Sequence, residues 1–338
     1  MAKASIIYKL AIISTIPLRY HVQLYRELAN SPKINLTVYF CLDWKFLNQP
    51  DNIFFNKNFL NGYNYKFLKN YSPFTSLTTS PFYLMNFGIW KEIKKNQYDA
   101  VIIHAWNNFT WWLTFFTCLR FKTPVLFMTD ASNLSNSSRP AWKKWLKKIY
   151  FKKILFKNAA GFLISGSVNE NFYKEYGVPK KKMIELHYSY GYEDFLTAAK
   201  ELKLQRQNIR KYSGIKDNDF VLLFVGRLDE VKNIFTLLKA YKGINYKNKK
   251  LFIVGDGPLR NQIEKCIKNL NIEGVFLAGL KPKKKLFDFY AFSDALILPS
   301  TDEPWGMVIN EAMCFGLPII ASDKVGAAVD LVQDGYNG

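Results

Sequence analysis

The sequence predicts an α/β protein of two tandem, doubly wound, parallel-sheet domains, and three observations carry that prediction. Ten apolar runs of five to seven residues recur along the chain, apolar on both faces, as strands covered on both sides require. Segments of helical length separate them, so strand and helix alternate in the order that builds parallel sheets. A polar stretch over residues 191–218 divides the runs into two sets of five. A chain of 338 residues also suits two ordinary domains, placed here at 1–192 and 193–338.

The first set begins with KLAIIS (9–14). Short apolar segments broken by Lys9 and Pro17 make the N-terminus a buried strand rather than a signal peptide. NLTVYF (35–40), DAVIIHA (99–105), PVLFMT (124–129) and AAGFLIS (159–165) follow. The most apolar stretch, 101–119, is interrupted by His104, Asn107 and Asn108. It falls short of the roughly 20 apolar residues of a spanning helix, so none is predicted. Residues 137–159 predict a helix, with Ser137 or Ser138 as cap and Pro140 in its first turn. At helical spacing Trp142, Trp145, Leu146, Ile149 and Tyr150 share one arc, with Lys143, Lys144, Lys147 and Lys148 opposite. Such a helix packs its stripe on the sheet with lysines in water, or turns those lysines to an anionic membrane; the two are compatible. The second set is FVLLFVG (220–226), KLFIVG (250–255), VFLAG (275–279), ALILPS (295–300) and PIIAS (318–322).

Composition narrows the class. Apolar residues make up 49% and charged residues 22%, which excludes a disordered or fibrous chain. The 47 Lys+Arg against 27 Asp+Glu give +20, a charge that either sits on solvated faces or meets an anionic partner. Residues 1–190 hold 26 basic and 9 acidic side chains, net +17, while the remainder holds 21 and 18, net +3. A partner for the charge is therefore sought on the first half. Cys41, Cys118, Cys266 and Cys314 form no C-x-x-C pair, so neither a zinc site nor a disulfide framework is expected, in keeping with a reducing compartment.

Ligands of open parallel sheets bind beyond the carboxyl ends of strands, where loops meet helix N-termini. After FVLLFVG comes Arg227-Leu-Asp-Glu-Val-Lys232, an Arg and a Lys placed to converge on one anion, as a fork and a point charge, or else two surface cations. After ALILPS come Glu303 and Glu311, eight apart, with Gly306 expected to open a helix that Gly316 and Pro318 close. The first N–H groups of that helix, near Gly306, Met307 and Val308, make an anion site. The plainer alternative is an N-terminal helix charge at Glu303 and a solvated residue at Glu311, which leaves Pro304, Trp305 and Gly306 unexplained.

GRLDEVKN (226–233), GDGPLR (255–260), the segment 277–322 from LAGLKPKKK to LPIIAS, and VQDGYNG (332–338) together resemble glycosyltransferase family 4, retaining nucleotide-sugar enzymes of the GT-B fold. That resemblance implies two Rossmann-like domains facing a cleft and a hexosyltransferase-type activity. It implies that Arg227 and Lys232 bind and stabilise the leaving diphosphate, and that Glu311 holds the ribose hydroxyls. Glu303 would lie against the donor sugar, Gly306, Met307 and Val308 would add backbone hydrogen bonds, and the loop after Gly279 would face the base. With those cations and a helix terminus neutralising the leaving group, no metal or other cofactor is expected. A metal-dependent alternative calls for a D-x-D triplet, which the sequence is expected to lack.

The first half is expected to bind the acceptor. Relatives often carry a His after the strand equivalent to PVLFMT, where this chain has Met128-Thr129-Asp130. Asp130 is then the nearest catalytic candidate, with Arg19, His21 and His104 on the acceptor side. Retention needs no protein base if a donor phosphate oxygen takes the acceptor proton. By the resemblance, the acceptor is a saccharide or lipid-linked saccharide of bacterial surface polysaccharide, lipopolysaccharide or exopolysaccharide. The location it implies is cytoplasmic and peripheral, on the inner face of the plasma membrane, and relatives continue for a further few tens of residues. The alternative is a basic, non-catalytic nucleic-acid- or membrane-binding protein on an α/β scaffold. No nucleic-acid recognition module is found, and no G-x-G-x-x-G follows either first strand, which removes nucleic acid as the expected partner and a nicotinamide enzyme.

Overall fold

A computed structural model describes residues 6–42, 57–73, 80–132, 149–186 and 191–338. The chain divides into two compact units: residues 1–129, 139–165 and 173–190, and residues 130–138, 166–172 and 191–338.

The first unit holds a seven-stranded sheet in the order β3-β2-β1-β4-β5-β6-β7, every pair parallel. The strands are β1 (Tyr8–Ser14), β2 (Ile34–Phe40), β3 (Asn64–Phe67), β4 (Ala100–Ile103), β5 (Val125–Met128), β6 (Gly161–Ile164) and β7 (Met183–Glu185). Ala11, Ile12 and Ile13 are consecutive in β1 and all fully buried, because both faces of the sheet are covered. On one face Ile12, Val38, Phe40 and Ile102 pack with Val22 and Tyr25 from the helix Arg19–Asn30. The helix Phe109–Arg120 takes up the apolar stretch flagged in the sequence, and the Asn108 side chain caps it by accepting from Trp111 N at 3.2 Å. Among the described residues no helix is long and apolar enough to cross a membrane.

The second unit holds a five-stranded parallel sheet in the order β10-β9-β8-β11-β12. Its strands are β8 (Phe220–Val225), β9 (Lys249–Val254), β10 (Val275–Gly279), β11 (Ala295–Leu298) and β12 (Ile319–Ala321). Val221, Leu223 and Phe224 of β8 are fully buried, as are Leu251, Ile253, Leu296 and Leu298. The short helix Arg206–Tyr212 is pinned to this unit by two arginines. Arg206 and Arg210 both reach Asp294, at 2.6 and 3.3 Å, and buried Arg210 also donates to the Phe292 carbonyl at 2.8 Å.

Each sheet has a point where the strand order reverses, between β1 and β4 and between β8 and β11. The crevice beyond the carboxyl ends at such a point is where open α/β sheets take ligands. The two strands that no apolar run announced, β3 (NYKF) and β7 (MIE), are both at edges and mostly solvent-facing. An edge strand has one open flank and can be built from polar residues, as these two are, although the edge strands β10 and β12 of the second sheet keep their apolar runs.

Candidate functional site

At the β8/β11 reversal three loops are tied together by backbone hydrogen bonds. Gly226 N donates to Val254 O at 3.0 Å, Leu228 N to Asp256 O at 3.0 Å and Leu259 N to Leu228 O at 3.0 Å, which fastens the loop after β8 to the loop after β9. Glycine is required there. Gly255 has φ +142, and a Cβ on it would overlap the Gly226 carbonyl oxygen; at Gly257 a Cβ would stand 2.5 Å from Leu228 O. The loop after β8 also meets the loop after β11, Thr301 N donating to Val231 O at 2.8 Å and Asn233 Nδ2 to Pro299 O at 3.2 Å. Glu303 is held by its backbone, its N–H on Lys324 O at 2.9 Å and its carbonyl accepting from Gly326 N at 2.9 Å.

This framework brings Lys232 and Glu303 together as an ion pair, with about four-fifths of each side chain buried. Arg227 is mostly exposed, its Nε 3.8 Å from Asp229. The expectation that both cations stand ready for one anion is thus modified: each faces a carboxylate first.

Gly306 adopts φ +93 as the cap of the helix Met307–Cys314, where a Cβ would press on Val325 at 2.9 Å and on Glu303 at 3.2 Å. The helix opens and closes as the sequence predicts, leaving the N–H groups of Met307 and Val308 in its first turn. Trp305 is buried and donates from Nε1 to Asn310 Oδ1 at 2.9 Å, locking the turn. Glu311 is buried, accepting from Tyr290 Oη at 2.8 Å, which overturns the alternative of a solvated helix residue. Gly279, at the end of β10, has φ +71 and accepts from Gly255 N at 3.0 Å, joining a fourth strand end to the site.

Contrary to the expected absence, the sequence contains one D-x-D triplet, Asp217-Asn218-Asp219. It lies at the amino end of β8, away from the loops that follow the strands. Burial raises the Asp219 carboxyl, but the Lys216 N–H at 2.7 Å and the Lys250 ammonium at 3.1 Å outweigh it and hold it below the usual range. This aspartate anchors a turn. Among the described residues no group of three or more His, Cys, Asp or Glu is placed to hold a metal ion.

At the β1/β4 reversal His21 and His104 meet, a contact the sequence did not announce. Their rings are edge to face with centroids 4.3 Å apart, flanked by Tyr20 and Tyr25. His104 N donates to Ile13 O at 3.1 Å, which sets it at the strand end. His21 Nδ1 and both ring nitrogens of His104 are buried with no hydrogen-bond partner among the described residues. Burial lowers both titrations, that of His104 to about 3, and His104 lowers His21 further. Both imidazoles are neutral at physiological pH. Arg19 begins the neighbouring helix, but its side chain lies outside the described residues. Asp130 is exposed just after β5. Lys143, Lys144, Lys147 and Lys148 also lie outside the described residues; the part of that segment which is described, 149–158, is helical, with a π-helical turn at Phe151–Leu155.

Two parallel-sheet units of this topology define the GT-B fold. Among solved structures, the Anabaena protein Alr3699/HepE in complex with UDP superposes with a TM-score of 0.72 at 18% identity, covering 98% of this chain and 85% of that one. Residues 205–338 match the family described as Glycosyl transferases group 1. Among curated proteins, the chain is 32% identical over 145 residues to the lipopolysaccharide 1,2-N-acetylglucosaminetransferase of Salmonella typhimurium, covering 39% of this chain and 38% of that protein. It is 30% identical over 198 residues to the alpha-monoglucosyldiacylglycerol synthase of Acholeplasma laidlawii, covering 57% and 43%. The chain thus spans less than half the length of these two relatives.

Proposed function

We propose that the protein is a glycosyltransferase, moving a sugar from a nucleoside-diphosphate sugar to an acceptor hydroxyl with retention of configuration and without a metal. The observation that carries this is the joining of Lys232, Glu303, Glu311 and the N-terminus of the helix Met307–Cys314 at one strand-order reversal, inside the segment matched to the glycosyltransferase family. In this reading Lys232 and Arg227 neutralise the diphosphate as it leaves, helped by the N–H groups of Met307 and Val308. Glu311, fixed by Tyr290, accepts from the ribose hydroxyls, and the loop after Gly279 faces the base. Glu303 faces the donor sugar. His21, His104, Arg19 and Asp130 serve the acceptor side, neutral imidazoles suiting a hydroxyl substrate better than an anionic one. The test is thermal stabilisation by UDP and GDP, followed by turnover with their sugar conjugates. Lys232→Ala should abolish both while the fold survives; stabilisation and turnover unchanged in that variant would remove the reading.

A membrane-bound acceptor is the companion proposal: a lipid-linked saccharide of surface polysaccharide, met at the inner face of the plasma membrane. The first half carries the excess charge, and Phe82, Phe87, Trp90 and Phe116 are exposed there beside Lys91, Lys94, Lys95 and Arg120. Aromatic and basic side chains together favour an anionic lipid surface. Co-sedimentation with anionic but not zwitterionic vesicles, reversed by salt, is the expected result. Equal binding to both kinds of vesicle would defeat it.

A further inference from the structure

The loops that should hold a diphosphate carry more negative than positive charge. Segments 226–232 and 299–306 contain Arg227 and Lys232 against Asp229, Glu230, Asp302 and Glu303, two cations to four carboxylates. Lys232 is engaged by Glu303, and Arg227 stands beside Asp229. Asp229 Oδ1 and Asp302 Oδ1 are buried without a hydrogen-bond partner among the described residues. A site evolved only to grip phosphate would leave its cations unopposed. Lys232 is instead shared, and any bound anion competes with Glu303 for it.

We propose that Glu303 is a product-release residue: its carboxylate makes the site favour the intact sugar ester over the free nucleoside diphosphate. The inference rests on the donor reading above. In the transfer, the bond from the sugar carbon to the diphosphate oxygen breaks with its electron pair staying on oxygen. A new bond forms to the acceptor oxygen, and the acceptor proton passes to the released phosphate oxygen. A terminal phosphate loses such a proton near pH 6, so at neutral pH the proton goes on to water and the product carries one more negative charge than the donor. That charge appears on the phosphate nearest the sugar position, where Glu303 sits paired with Lys232. The donor presents hydroxyls that can donate to the carboxylate; the product presents an anion that it repels. The ion pair re-forms as the product leaves, returning Lys232 to its resting partner.

The experiment uses calorimetric titration of the wild type, Glu303→Gln, Asp302→Asn and Lys232→Ala with three probes: UDP, UDP-glucose, and the methyl ester of UDP on its terminal phosphate. The ester carries the donor's charge without a sugar, which separates charge from sugar contacts. The guanosine series replaces these if GDP raises the melting temperature more. The wild type should bind the ester more tightly than the free diphosphate. Glu303→Gln should tighten free diphosphate about tenfold and the ester much less, the size expected for removing one unit charge a few ångström away in a site still reached by solvent. Product inhibition of turnover should strengthen by the same factor. Asp302→Asn, a second carboxylate of the same loop, should shift the ratio in the same direction by less, and serves if the first variant misfolds. If neither variant changes the ratio of diphosphate to ester affinity while Lys232→Ala weakens all three probes, the product-release role is wrong and the donor site stands. If Lys232→Ala weakens none, the donor reading falls first.

Discussion

Acidification from pH 7 to pH 5 should destabilise the first unit through its buried histidine pair. Burial pushes the protonation of His104 down to about 3, and lowers that of His21 as well, with His104 adding to the effect. An unfolded histidine takes up its proton near pH 6.5. The folded values are depressed, so below that pH the unfolded chain binds more protons and stability falls as pH falls. At pH 5 the unfolded His104 side chain is nearly all protonated and the folded one nearly all neutral. The difference is about 1.5 pH units of linkage, or about 2 kcal/mol from this residue alone. His21 acts in the same direction. For a unit of this size, 2 kcal/mol lowers the melting temperature by about 4–8 °C. Calorimetry between pH 7.5 and 5 on the wild type and on the double variant His21→Gln, His104→Gln measures it. The variant starts from a different stability, but its curve should be nearly flat over the interval where the wild type slopes. A double variant with the wild-type slope would refute the assignment of that slope to the pair, and with it the neutral, unpartnered state of the rings.

Two further outcomes follow from the second unit. Gly255→Ala should destabilise it by about 3 kcal/mol or more, because the added Cβ overlaps Gly226 O and the φ of +142 is strained for any side chain; chemical denaturation reads the loss, and an unchanged midpoint would contradict the loop geometry. Tyr290→Phe removes a donor to the buried Glu311 carboxylate and should cost about 1–3 kcal/mol; nucleotide binding should weaken with it, and a variant as stable as wild type would show that this hydrogen bond does not hold the site together.

Much of this was legible in the sequence, for a physical reason. The ten apolar runs correspond to ten of the twelve strands; the central ones, such as β1 and β8, are covered on both faces and must be apolar throughout. β3 and β7 escaped because an edge strand need not be. At the site, the turn Glu303 to Gly306 was readable because its glycine fits a left-handed cap that other residues resist. The Tyr290–Glu311 contact was not, because nothing in a spacing of 21 residues marks two side chains that meet only once helices pack on a sheet. The His21–His104 contact was invisible for the same reason: it depends on β1 lying beside β4, with β2 and β3 turned to the other side.

That strand order explains why both units concentrate chemistry where they do. Where successive connections run to opposite sides of a sheet, the two loops at the reversal diverge and leave a crevice at the carboxyl ends. In the second unit the crevice is lined by charge, and the loops after β8, β9 and β11 are cross-linked so tightly that glycines at 255, 257 and 306 are needed to let them approach. In the first unit the equivalent crevice is lined by two neutral imidazoles and tyrosine rings. Rigid, charged loops suit a ligand whose charge changes during the reaction, because fixed dipoles need no reorganisation as that charge develops. A neutral, aromatic crevice suits a partner that brings hydroxyls and no charge. The division of labour proposed between donor and acceptor therefore follows from what each reversal point is lined with, and Glu303 is where the charged crevice tells a spent donor from a fresh one.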